Sequence, residues 1–201
     1  MRTFLILRPR IKNLAFFLLL ISQLTVAQDL NSLKIEAQKV LQATTSLDFD
    51  QILESTYPKV FEIVSKEQMK NALVLTFYGD ETMKIKLLND TTDFKFGKIK
   101  KIDNQTFCLI DYNLSMEITL QSIIEDDDEE QVMIDIFKEA METKKVTFNK
   151  ETNTFTIIKP STMIAIFDDA TKNTWKFLNK DKENALAKNL FSKKVLKELN
   201  F

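Results

Sequence analysis

CLIDYNLSMEITL, residues Cys108 to Leu120, is the stretch that decides the fold. From Ile110 onward apolar and polar residues alternate without a miss. Ile110, Tyr112, Leu114, Met116, Ile118 and Leu120 stand against Asp111, Asn113, Ser115, Glu117 and Thr119. Side chains on a strand point alternately to opposite faces, so this period of two predicts one long, half-buried β-strand. At ~3.3 Å per residue it would span roughly 40 Å, about twice an ordinary strand. A strand that long twists and curves, so other strands pair along it and helices cover its apolar face.

Working outward, helices come first. Leu33, Ala37, Val40, Leu41 and Thr44 recur at helical spacing within Leu30–Thr44, with Asn31 or Ser32 placed to cap the start. Asp48-x-x-Gln51 is a capping-box pattern ahead of Phe49, Ile52 and Leu53. Pro58 suits the first turn of a further helix running to Val64. Ser65-x-x-Gln68 opens another, with Met69, Ala72, Leu73 and Phe77 on one side and Gly79-Asp80 at its end. Strands are expected over Met83–Leu87, with Lys84 and Lys86 outward, and over Phe94–Ile102, turning at Asp103-Asn104.

Beyond the long strand, the acidic run Glu125–Glu130 leads a helix. Its apolar stripe is Val132, Met133, Ile136, Phe137, Ala140 and Met141. Val146–Phe148 with Phe155–Ile158, and Thr162–Phe167 with Thr174–Leu178, read as two hairpins. A closing helix, broken or continuous, covers Glu183–Leu199 with Leu186, Leu190, Val195 and Leu199 apolar. With only 2 Gly and 3 Pro there is no linker or second domain to place. The expectation is an α+β fold: N-terminal helices packed on a curved antiparallel sheet with one inserted helix and a C-terminal helix.

The first 27 residues read differently. Arg2, Arg8, Arg10 and Lys12 precede the apolar run Leu14–Ile21, and small residues lead to a cut between Ala27 and Gln28. This is the pattern of a Sec-type signal peptide, and the run is too short for a membrane helix. The chain is therefore expected to be exported, periplasmic or secreted, as one α+β domain over residues 28–201 with no integral membrane segment. Losing four basic residues leaves 24 against 29 acidic ones, a net charge near −5. That balance argues against nucleic acid and anionic membranes as partners. A lone cysteine, Cys108, allows no internal disulfide and reads as a small buried hydrophobe.

No histidine occurs anywhere, which removes histidine acid/base chemistry, Ser-His-Asp and Cys-His nucleophiles, and nearly every catalytic zinc site. The two glycines form no phosphate or dinucleotide fingerprint. Asp126–Glu130 lacks the alternating ligands and central glycine of a calcium loop, and carboxylates at a helix start complement its dipole. No metal or cofactor is expected. Asp111 and Tyr112, adjacent on a strand, face opposite ways and cannot share a pocket as base and phenol. Asp111 and Glu117 share a face but lie about 20 Å apart. Trp175 and Phe177 share one strand face, a stacking platform for a flat ligand or an aromatic pair beneath a helix.

Three segments carry a resemblance: Tyr57-Pro58-Lys59-Val60-Phe61, Met163–Asp168, and Thr174–Leu178 with the final helix. With the order of elements, they resemble the nuclear transport factor 2-like (cystatin-like α+β cone) superfamily. They are also similar to small exported proteins of unknown function from Gram-negative envelopes. The resemblance implies a curved sheet wrapping an apolar cavity plugged by helices, enzymatic in some members and a binding or dimerisation module in others. The catalytic sets of the enzyme members map onto no positions here.

The leading expectation is a non-catalytic exported binding module. Its ligand is a small apolar molecule in the cavity or a protein partner, with Tyr112, Trp175 and Phe177 as candidate contacts. The alternatives are a cofactor-free isomerase or hydrolase using carboxylates and tyrosine, and an oligomerising envelope component, a homodimer being the simplest case.

Overall fold

The computed structural model of the chain describes residues 30–78, 82–88, 93–181 and 183–201. Helix α1 occupies residues 30–45. It is already helical at Leu30, so Asn31 and Ser32 lie inside it and are not its caps. Helix α2 (Phe49–Ser55), a 3-10 turn (Pro58–Glu62) and α3 (Lys66–Tyr78) follow. Their starts obey local chemistry. Asp48 accepts the Gln51 N–H at 3.0 Å, although the Gln51 side chain turns to Ser55 instead of completing the box. Ser65 and Gln68 do close theirs in both directions, at 3.2 and 3.1 Å. Pro58 sits where a missing N–H costs no hydrogen bond. Ala72, expected inward on α3, is exposed. Gly79 and Asp80 lie outside the described residues.

The sheet comprises β1 (Met83–Leu88), β2 (Lys95–Phe96), β3 (Lys100–Ile102), β4 (Gln105–Leu120), β5 (Lys145–Asn149), β6 (Thr154–Phe167) and β7 (Lys176–Asn179). Helix α4 (Asp127–Ala140) is inserted between β4 and β5, and α5 (Ala185–Leu190) and α6 (Lys193–Glu198) close the chain. The class is α+β, as expected. Two long strands, β4 and β6, run antiparallel from Thr106↔Phe167 to Thr119↔Thr154. Strand β1 flanks the far half of β4 and β5 the matching half of β6, giving the order β1-β4-β6-β5. The near half is flanked by β2 and β3 on one side and by β7 on the other.

Several expectations change in the folded chain. Strand β4 begins at Gln105, three residues before Cys108, because the two-residue turn at Asp103, with φ of 54°, hands straight into it. The expected strand Phe94–Ile102 divides into β2 and β3. Phe96 pairs with Ile110 but Lys100 with Phe107, so three intervening residues on one strand oppose two on the other, a one-residue bulge. Gly97 sits in it, its N–H on Leu109 O at 2.8 Å; a Cβ there would meet that oxygen at 3.0 Å. The closing helix breaks at Phe191, where Ser192 caps α6 by accepting the Val195 N–H at 3.3 Å.

The largest change is β6. Phe155–Ile158 and Thr162–Phe167 are one strand, passing straight through Pro160. Lys180 donates its N–H to Thr162 O at 2.9 Å, so Thr162 turns its backbone groups to the outer edge. With a period of two, so does Pro160. Among the described residues no strand pairs there, so the missing N–H breaks no ladder, and a proline becomes tolerable inside a long strand.

Three apolar clusters hold these parts together. On one face of the near half, Tyr57, Phe107, Ile164, Ile166 and Leu178 pack against Phe191, Val195 and Leu199. On its other face, Cys108, Ile110, Met163, Ala165, Trp175 and Phe177 pack under Leu33 and Ala37 of α1. On that same face of the far half, Met116, Ile118, Phe155 and Ile157 pack under Phe137 of α4. The opening half of β4 is thus buried on both faces, with Phe107 at 0% and Cys108 at 1% exposure, rather than half-buried. The remaining face of the far half carries Lys84, Lys86, Glu117, Thr119, Thr147 and Thr156, in the register that the alternation requires.

Candidate functional site

The flanking strands are shorter than the two they flank, and this leaves a waist. Strand β1 ends at Leu88 opposite Ser115, and β2 starts at Lys95 opposite Asp111. On the other side, β5 starts at Lys145 opposite Ile158, and β7 ends at Asn179 opposite Met163. Between these points Tyr112, Asn113 and Leu114 pair, among the described residues, only with Ser161, Pro160 and Lys159. A cleft of about 1370 Å³ surrounds this two-stranded segment. The end of α4 and the link from β7 to α5 form its other walls.

Charge dominates the lining. Among the described residues, Asp93, Asp111, Glu139, Glu142, Asp181 and Glu183 supply six carboxylates, and Lys95, Lys159 and Lys180 three ammonium groups. Asp111 is exposed and accepts the Thr162 hydroxyl at 2.6 Å. Tyr112 and Leu114 form the apolar part of the floor. Tyr112 meets the ring of Phe94 edge-on at 5.7 Å. Burial raises its phenol pKa, and a hydrogen bond with Ser161 opposes the rise. The cleft therefore offers fixed charge around a small apolar strip.

Of the three residues expected to contact a ligand, only Tyr112 lines this cleft. Trp175 and Phe177 are 2% and 5% exposed, beneath α1, in the cluster against which Tyr112 also packs. The Trp175 ring meets Phe167 at 5.4 Å and donates its N–H to Ser32 Oγ at 3.1 Å. The acidic run acts as a helix start. Asp126 caps α4 through the Glu129 N–H at 2.6 Å, and Lys150 pairs with Asp127 at 2.5 Å and Glu130 at 3.7 Å.

A carboxylate–phenol pair does form, but between residues far apart in sequence. Tyr57 donates its hydroxyl to Asp168 Oδ2 at 2.7 Å, and Gln105 Nε2 donates to the same oxygen at 2.7 Å. Asp168 Oδ1 accepts the Thr171 N–H at 3.1 Å. Tyr57 is fully buried, Asp168 is 9% exposed, and neither lines the cleft. Their geometry ties the helical segment to the end of β6. The neighbouring Tyr57 N–H, on Phe177 O at 2.9 Å, strengthens the same join. No sequence pattern marks the pair, because its members meet across 111 residues.

Buried groups of this kind set an alkaline limit. Burial pushes the Cys108 thiol from the usual 9.0 up to about 11, against a weaker lowering by its hydrogen bond to Gly97 O. Burial, then the hydrogen bond to Asp168, raises Tyr57 above the ordinary phenol value of 10.0. A raised folded-state pKa contributes stability that is complete below the unfolded value and lost as pH climbs toward the folded one. Stability is therefore expected to hold up to about pH 9 and to fall from there to pH 11, by ~2–3 kcal/mol from Cys108. Tyr57 adds to the loss above pH 10. Urea midpoints followed against pH test this, and Cys108→Ala should remove the fall between pH 9 and 10.

No protein-family profile matches this chain, and no curated protein matches it.

Proposed function

We propose that the protein is an exported, non-catalytic binding module that engages a protein partner through the waist cleft. The observation that carries this reading is the lining itself: among the described residues, six carboxylates and three lysines around Tyr112 and Leu114, in about 1370 Å³ open to solvent. Such a surface suits a polar segment with excess positive charge, such as a lysine- or arginine-bearing loop of another protein. An apolar small molecule is the weaker fit, since the apolar interior is filled by Leu33, Ala37, Phe137 and Phe191 against the sheet. The carboxylate–phenol pair supports no catalytic role, because a reacting atom could not approach the buried Tyr57 hydroxyl.

Hexalysine serves as the probe, titrated at low salt and followed by amide chemical shifts. Shifts centred on Tyr112, Leu114 and Ser161 that weaken with salt are expected. Combined Asp111→Lys and Asp181→Lys should reduce affinity about tenfold, each exposed charge contributing up to ~1 kcal/mol. Absent shifts, or shifts confined to other surfaces, would overturn the cleft as the site. Export has its own check: N-terminal sequencing of protein recovered from the periplasm or medium should begin at Gln28.

A further inference from the structure

The apolar stripe expected on α4 splits when the helix packs. Met133, Ile134, Phe137 and Met141 turn toward the sheet. Val132 and Ile136 remain 58% and 49% exposed, one turn apart on the outer face, and Ile123 just ahead of the helix is 73% exposed. Helical spacing places Asp128, Asp135 and Glu139 beside them, all exposed. Residues 125–139 carry eight carboxylates and one lysine. Two partly hydrated aliphatic side chains inside a ring of negative charge have the layout of an interface: an apolar centre with a charged rim.

The opposite character appears where β3 meets α6. Lys100 and Lys101 of β3 and Lys194 of α6 line one recess, α6 also carries Lys193 and Lys197, and all but Lys100 are exposed. Between the two elements lies a recess of about 410 Å³ with Ile102 in its wall. Its carboxylates are already engaged or outnumbered: Asp103 is 2.5 Å from Lys194, and Glu198 is the other. Lys100 is held in place by the Glu198 carbonyl.

These two surfaces cannot meet within one molecule. Helix α6 packs on the cluster that contains Phe107, and α4 on the cluster that contains Ile118. Those residues are eleven positions apart along β4, roughly 36 Å, and on opposite faces of the sheet. Between two molecules nothing separates them. We infer that the outer face of α4 docks on the lysine face of β3 and α6 of a second copy, head to tail. Such a contact uses different patches on the two molecules, so it repeats into a ring or a filament instead of closing as a symmetric dimer. Glu139 borders both this face and the waist cleft, and no other residue named for the docking surfaces lines that cleft.

Charge exchange gives the test. Sedimentation velocity of the purified protein at ~0.01 M salt, where charges act over ~30 Å, should show species that grow with concentration. At 1 M salt, where screening acts within ~3 Å, they should revert to monomer. One variant carries Asp128→Lys and Glu139→Lys; the other carries Lys193→Glu and Lys197→Glu. Each alone should be monomeric. Mixed in equal amounts, they should associate again, because the unaltered lysine face of the first and the unaltered α4 face of the second remain complementary. Val132→Ser with Ile136→Ser should weaken assembly of the otherwise native chain.

A wild-type chain that stays monomeric at low salt would overturn the inference. So would a closed dimer that does not grow, assemblies unchanged in both charge variants, or a mixture that stays monomeric. If a variant fails to keep the parent's circular dichroism, the salt dependence and growth of the wild type decide.

Discussion

Phe155→Ala should destabilise the protein by about 3–5 kcal/mol, the range for deleting a fully buried aromatic ring from a core. Phe155 is 0% exposed at the start of β6. Its ring lies 4.8 Å from that of Phe137 on α4 and 4.4 Å from that of Phe148 on β5. Truncation would open a void where the inserted helix, the edge strand and the central strand converge, and would also remove two ring pairs worth ~0.5–1.5 kcal/mol each. Phe148 supplies the internal comparison. It belongs to the same stack but is only half-buried, so Phe148→Ala should cost clearly less. Denaturant unfolding of the two variants tests the order. Equal costs would mean that the cluster relaxes freely around Phe155.

The second large effect is expected at Asp168. Asp168→Ala removes the acceptor of the Tyr57 hydroxyl, of Gln105 Nε2 and of the Thr171 N–H together. Hydrogen bonds to a charged group contribute ~1.5–3 kcal/mol, and buried donors left unpaired add a penalty. Gln105 Nε2 lies 3.2 Å from the Tyr57 oxygen, so part of the loss can be offset. A net cost of ~2–4 kcal/mol follows. Tyr57→Phe deletes one bond only and should cost about 1–2 kcal/mol. The double variant should then show a coupling of ~1–2 kcal/mol, since the two groups share one bond. Hydrogen exchange gives a second readout. Amides of α1 and α2 should lose more protection in Asp168→Ala than those of β5, because the join at Tyr57 anchors the helical segment to the sheet. Uniform loss would show that the pair contributes to global stability alone.

Tyr57–Phe61 and Met163–Asp168 are the two segments this pair joins. Each was visible as a local pattern. Their meeting was not, because neither carries a periodicity that names its partner. The same reasoning separates the candidate site into legible and illegible parts. Tyr112 was readable as a strand residue facing Ile110 and Leu114, and Asp111 as facing the other way. The cleft that now contains both lies where, among the described residues, four shorter strands stop on either side of them.

What the sequence determined by itself was most of what neighbours within a few residues govern, the caps expected at Asn31 or Ser32 being the exception. The alternation in β4, the caps at Asp48, Ser65 and Asp126, and the turn at Asp103 all appear where the chain places them. Each depends on a hydrogen bond or a facing direction set within about four positions. Only the tertiary structure decided that β6 runs unbroken through Pro160, that the first half of β4 is covered twice, and that Val132 and Ile136 face outward. Those outcomes depend on which distant element takes each face. An apolar residue specifies burial but not its partner, and a proline breaks a strand only where its missing N–H was needed.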